Sequence, residues 1–288
     1  KGHTNKTTID LSGYPYGDDD VPILWACLKQ NKSVERVKLF DNQMGEYGAQ
    51  MFGEVLEINQ TLVSVDLCNT KSAFGTIGID YIRAGIAKHK SLKQLKLANF
   101  NIPVHELNGN TGVKSLSFEN SHVTNEDAII IGELIKGNKT LKDLNLDSNV
   151  VGDVGAIGLA AGLALNTTLT NLSLRFNKKI GDQGMQELGA ALKVHPALKK
   201  LDLWDNNIGP LGASGLAQGL RQNKVLTQLN LYKNKLGDKG ATYLLNAFKA
   251  RGNDQTLRSL DLRQNALGAS VKRELKDLAK QCGVKIIT

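Results

Sequence analysis

Five times between residues 141 and 265 the chain repeats one nine-residue phrase, L-x-x-L-x-L-x-x-N. The copies are LKDLNLDSN from 141, LTNLSLRFN from 169, LKKLDLWDN from 198, LTQLNLYKN from 226 and LRSLDLRQN from 257. Looser copies precede them: VERVKLFDN from 34, LVSVDLCNT from 62, LKQLKLANF from 92 and VKSLSFENS from 113, with a truncated TTIDLS ahead of all. Successive starts lie 28, 30, 21, 28, 28, 29, 28 and 31 residues apart. A unit this short cannot bury its own apolar face, so the units have to stack on one another.

Each unit has two halves. The leucines of the phrase alternate as a half-buried strand requires, with positions 1, 4 and 6 directed to a core. The segment after the Asn has helical spacing: Ala156, Leu159, Ala160 and Leu163 fall at i, i+3, i+4 and i+7, as do Ala213, Leu216, Ala217 and Leu220. Strand, turn and helix therefore recur, which predicts an α/β solenoid with a parallel sheet on one side and helices on the other. Helices are wider than the strand spacing, so the stack is expected to curve as a horseshoe with the sheet on its concave side. The turn asparagines, Asn42, Asn149, Asn177, Asn206, Asn234 and Asn265, fit a ladder that satisfies backbone groups where each strand bends away.

The unit, with its G-D-x-G-A-x-x-L-A run after the Asn, resembles the ribonuclease-inhibitor type of leucine-rich repeat, found also in NOD-like receptors and the Ran GTPase-activating protein. The resemblance covers nearly the whole chain. It implies a scaffold for binding proteins, whose specificity lies on the exposed surface. A second implication is a GTPase-activating regulator, although that family typically has a long acidic tail and this chain ends in the basic KRELKDLAKQCGVKIIT. Ribonuclease inhibition is disfavoured, because such inhibitors are acidic and Cys-rich.

One domain is expected over residues 1–288: a truncated N-terminal capping repeat at 1–33, eight repeats over 34–256, and a C-terminal capping repeat at 257–288. The unit at 92–112 is short and contains Pro103, which leaves room for a loop or a single helical turn. Arg83, in a column that is normally small, fits beside such a gap. Trp25 occupies the same column in the first helix, where it serves either as an end cap or as a seam to a further segment. The chain opens on Lys1 without an initiating Met, as a piece of a longer protein would.

With 41% hydrophobic and 22% charged residues the chain has the profile of a globular protein, and no apolar run reaches the length of a membrane span. Cys27, Cys68 and Cys282 lie far apart and read as free thiols in a reducing, cytoplasmic setting. The five His, His3 among them, show no metal-ligand spacing, and no grouping suits nucleophilic catalysis. No phosphate-loop sequence occurs. The expectation is a non-enzyme without cofactor or metal, monomeric in isolation. The triplets beginning at Asn5, Asn31, Asn59, Asn138 and Asn166 match glycosylation acceptors, but the last four share one repeat position and read as structural.

Positions 3, 5 and 7 of each phrase should face outward from the strand, with position 8 on the turn. The seventh column includes Phe40, Cys68, Asp147, Arg175, Trp204, Tyr232 and Arg263. The candidate partner-binding residues are therefore Trp204, Tyr232, Arg175, Phe176, Asp202, Asp205, Lys233, Asp261 and Arg263, a set rich in the residue types that anchor interfaces. The competing reading is that these aromatics and charges satisfy one another. From Lys193 onward the chain carries 17 Lys+Arg and 7 Asp+Glu. That surplus would suit an acidic protein partner or a solvated surface. Nucleic acid is disfavoured, because the basic residues spread around the solenoid rather than along one groove.

Overall fold

The nine-residue phrases become three-residue strands, and each following segment becomes a helix. The computed structural model describes residues 7–68, 74–251 and 256–288. Asn5 and His3 lie outside them. The chain divides into two compact units, one running to Thr111 and the other spanning Gly112–Thr288.

In the first unit the order is β1 (Thr8–Asp10), α1 (Val21–Gln30), β2 (Arg36–Lys38), α2 (Glu46–Ile58), β3 (Ser64–Asp66), α3 (Gly75–Lys88), β4 (Gln94–Lys96), β5 (Asn101–Pro103) and α4 (Val104–Leu107). Strands β1 to β4 pair in parallel, neighbour to neighbour. The short repeat then departs from the pattern. Its strand β5 turns back and pairs antiparallel with β4, Leu95 opposite Ile102, and its helical side is the single turn α4. Proline fits there because the register places Pro103 at the last pair, where a missing N–H costs least. Arg83 stands half-exposed on α3 and pairs with Asp80 at 3.0 Å. Trp25 is fully buried, its ring centroid 5.0 Å from that of Phe52 on α2.

The second unit contains β6 (Ser115–Ser117), α5 (Asn125–Ile135), β7 (Asp143–Asn145), α6 (Asp153–Leu163), β8 (Asn171–Ser173), α7 (Asp182–Val194), β9 (Lys200–Asp202), α8 (Pro210–Gln222), β10 (Gln228–Asn230), α9 (Gly237–Arg251), β11 (Ser259–Asp261), α10 (Ala269–Cys282) and β12 (Lys285–Ile287). Its seven strands form one parallel sheet in chain order. Each unit is thus an α/β solenoid stack. Among the described residues no helix is long and apolar enough to cross a membrane.

Leucines at positions 1, 4 and 6 are buried as the alternation requires: Leu198, Leu201 and Leu203 are 0%, 2% and 0% exposed. Three polar ladders then join each repeat to the next. In the first, the turn Asn donates backward: Asn177 Nδ2 reaches Leu146 O of the preceding repeat at 2.9 Å, and Leu174 O and Arg175 O of its own at 3.1 and 3.0 Å. Asn149, Asn206, Asn234 and Asn265 repeat the pattern.

The second ladder sits where each helix meets the next strand. Asn31, Asn59, Asn138, Asn166 and Asn223 each accept backbone N–H groups two or three residues ahead through Oδ1. Asn59, Asn166 and Asn223 also donate to a carbonyl of the preceding repeat. Asn59, Asn138 and Asn166 are buried, which closes them to glycosylation in the folded state. His89 and His195 take the same place, their Nδ1 accepting from the backbone of residues 91 and 92, and of 197 and 198.

The third ladder explains the G-D-x-G run. Asp182, at the start of α7, accepts from Gly209 N and Gly212 N and so caps the first turn of α8. Asp153 does this for α7, and Asp18 for α2. The helices sit close enough that a Cβ on Gly189 would fall 2.3 Å from Gly215 O, so only glycine fits.

Two outcomes follow. Asn177→Ala takes a second donor from Leu146 O and Leu174 O, which Asn149 and Asn206 still serve, and leaves the buried Val151 N–H without its acceptor; it should lower unfolding free energy by about 1 to 3 kcal/mol, measured by urea denaturation. Burial lowers the His195 pKa to about 4, so its neutral form is the folded one. Below the unfolded value near 6.5 the unfolded chain takes up the proton first, and stability should fall as pH drops from about 6.5 to about 4. His195→Asn keeps the acceptor without the titration. Its stability curve over that window should be flatter by about 2 to 3 kcal/mol.

Candidate functional site

All nine residues singled out in the sequence lie in the second unit, on β8 to β11 and the turns that follow them. Position 7 carries the side chain just past the strand end, so successive repeats line up their seventh and eighth residues. Position 8 is left-handed in repeat after repeat, at φ 55° for Phe176, 55° for Asp205 and 54° for Lys233. Phe, Asp and Lys have no common preference for that region. The Asn at position 9, bonded to carbonyls on either side of the turn, imposes it.

The rings form a row. Trp204 stands between Phe176, 5.0 Å away and tilted 48°, and Tyr232, 5.2 Å away and edge-on. Two guanidinium groups cover this row: Arg175 lies 5.4 Å from the Trp204 centroid and Arg263 5.1 Å from that of Tyr232. Each is tied down by a carboxylate. Arg175 meets Asp202 with Nε at 2.8 Å and Nη2 at 2.7 Å, and Arg263 meets Asp261 with Nε at 3.1 Å and Nη2 at 2.6 Å. Lys233 pairs with Asp205 at 2.9 Å. Burial opposes the charge of Arg175, but hydrogen bonding to Asp202 and the charges of Asp202, Asp147 and Glu119 hold its pKa above the ordinary value. Asp147 is shifted up, chiefly by burial.

Trp204 is half-buried rather than free. Its Nε1 is covered and has no hydrogen-bond partner in the structure, a cost that its ring contacts offset. Two members of the seventh column depart from the expectation that it faces outward. Cys68 is buried, its Sγ 3.8 Å from Asn99 Oδ1, and Asp147 is only 7% exposed because it accepts from Ser173 Oγ and from Arg175 N. Among the described residues no group of His, Cys, Asp or Glu is arranged to hold a metal ion.

Beside the ring row, across the strands, runs an open groove of about 710 Å³. Positions 3 and 5 form its floor, largely Ser, Asn, Gln and Asp, and Glu119, Asp147 and Arg175 reach into it from the seventh column. Alternation placed positions 3 and 5 on this face, but only Asp202 and Asp261 of them were among the candidate residues; the register sets Ser117, Asn145, Ser173, Asp202 and Asn230 in one row.

Comparison with known proteins agrees with this construction. The family described as Leucine Rich repeat matches residues 137–160, 165–189, 194–217, 222–245 and 253–270. Residues 137–270 carry leucine-rich repeats. By sequence it is similar to human Leiomodin-2, 32% identical over 96 residues, or 33% of this chain and 18% of the relative. It is also similar to rat Leiomodin-1, 34% over 93 residues, 32% and 16%, and to Protein TORNADO 1 of Arabidopsis thaliana, 25% over 199 residues, 62% and 14%. The matches thus span less than a fifth of each relative. Among solved structures, Leiomodin-1 Actin-Binding Site 2 (ABS2) superposes with a TM-score of 0.40 and 20% identity, covering 63% of this chain and 87% of that one.

Trp204→Ala removes ring contacts but opens no core cavity, and should cost about 1 to 2 kcal/mol of stability. Leu203→Ala, one residue away and pointing inward, should cost about 2 to 5 kcal/mol. Thermal and urea unfolding of the two variants decide the register: a larger loss for Trp204→Ala than for Leu203→Ala would shift the strand by one residue.

Proposed function

We propose that the chain is a non-catalytic protein-recognition module, working as a monomer, whose partner docks on the sheet face of the second unit with Trp204 and Tyr232 as anchors. The observation that carries this reading is the row of three rings capped by two guanidinium groups at the edge of an open groove. Rigid aromatics and pre-positioned arginines lose little conformational entropy on binding, which is why such groups dominate the energetics of interfaces. The competing idea, that the charges only satisfy one another, accounts for the ion pairs. It leaves unexplained why three rings are gathered outside the core.

The GTPase-activating alternative has less support at this site. Both arginines of the ring row are held by aspartates, so neither is free to reach a nucleotide phosphate.

The experiment is quantitative capture. With the wild-type chain as bait in an extract of the source cells, Trp204→Ala should lower recovery of a specific partner about thirtyfold, the equivalent of about 2 kcal/mol. Tyr232→Ala should act in the same direction, and the double variant should lose less than the sum because the rings touch. If capture is unchanged in both variants, the partner binds elsewhere.

A further inference from the structure

The charges on the groove floor are ordered. Position 3 of successive strands is brought into one row by the register, Asp143 opposite Asn171, Asn171 opposite Lys200, and Ser259 opposite Lys285. Along this row the charge begins negative on β7, becomes positive on β9 and is positive again on β12, with neutral Ser, Asn and Gln elsewhere. Glu119, after β6, adds a second carboxylate at the negative end and lines the same groove.

These charges differ from those of the ring row. Asp202, Asp205 and Asp261 are neutralised by Arg175, Lys233 and Arg263. Glu119 and Asp143 interact with neutral amides, Asn145 and Asn171, and join no ion pair within 4 Å among the described residues, although Arg175 feels the charge of Glu119. Lys200 and Lys285 are also exposed and unpaired. At about 4.8 Å per strand, Asp143 stands about 10 Å from Lys200 and about 24 Å from Lys285, the nearer distance just beyond and the farther well beyond the screening length of about 8 Å at physiological ionic strength. The two ends therefore act on a bound chain independently, and complementary charge sets its direction.

Resting on the reading of this face as the protein-binding surface, we infer that the groove takes a polypeptide segment polarised in charge, basic over β6 and β7 and acidic over β9 to β12. Its polar floor supplies hydrogen bonds to backbone amides, and the segment can run only one way. The basic surplus of the C-terminal half plays a small part here, since on this face most of it is paired or neutral. A polyanion such as nucleic acid would meet Glu119 and Asp143 at one end and be repelled there.

The test uses the isotope-labelled full chain and two synthetic twelve-residue peptides, one of alternating Lys and Gly and one of alternating Glu and Gly, each with a central nitroxide. Paramagnetic broadening of backbone amides reports where each settles. The Lys peptide should broaden Asp143 and Asn145, and the Glu peptide Lys200 and Lys285, both effects fading with added salt. Glu119→Gln combined with Asp143→Asn should weaken the Lys peptide at least fivefold and leave the Glu peptide unchanged; Glu119→Gln alone, at an exposed site, should give a partial loss. Partner capture is scored separately through Trp204→Ala, so polarity can fail while capture still depends on Trp204, and the reverse. Broadening at the same strands by both peptides, placement of either on the helices, or tighter binding of a single-stranded oligonucleotide along the whole groove would overturn the inference.

Discussion

One side-chain amide, the Asn that ends six of the nine phrases, holds this architecture together. It donates to a carbonyl of its own repeat and to one of the repeat before, so a turn cannot close without its neighbour in place. Each strand-end carbonyl, such as Leu146 O or Leu174 O, thereby accepts from two asparagines, its own and that of the next repeat, and ties the two together. Much else follows from that bond: the left-handed residue at position 8, the reach of position 7 past the strand, and so the alignment of Phe176, Trp204 and Tyr232 in adjacent repeats. The other two ladders repeat this logic at the remaining corners of the unit. An Asn or His closes the passage from helix to strand, and an Asp at one helix start caps the next helix. Cohesion between repeats is therefore polar at the corners and apolar in the middle.

The short repeat shows what happens when the pattern lapses. LKQLKLANF has Phe100 where six of the other eight phrases place their turn Asn, and the chain after it reverses into the antiparallel β5. LVSVDLCNT and VKSLSFENS also lack Asn at position 9 and are followed by the full helices α3 and α5, so what stops the pattern here is the missing length. The edge of β4 is satisfied instead by its own chain folding back.

Fold and register were legible because both depend on period. Leucines at positions 1, 4 and 6 declare which side is inward, and Trp204 at position 7 could be placed outside the core from spacing alone. The turn ladder was also readable, since an Asn recurring at the end of a strand has few other purposes. What escaped notice depends on neighbours about thirty residues away. That Asp182 caps α8 rather than its own helix, or that His195 substitutes for an Asn, is invisible along the chain because the bonded partners belong to different repeats. Cys68 and Asp147 share the outward column with Trp204 and yet are buried, because local contacts with Asn99, or with Ser173 and Arg175, close over them. Alternation fixes the side of the sheet on which a residue lies but leaves open how much of it the next repeat covers.

The two tryptophans of the chain fall one to each unit, and in opposite surroundings. Trp25 is sealed against Phe52, while Trp204 is half-covered, with a guanidinium close to its ring. Indole emission is sensitive to both solvent and neighbouring charge, so the protein carries two built-in optical reporters with distinct spectra. Emission spectra followed during unfolding therefore carry a contribution from each unit, without any label being introduced.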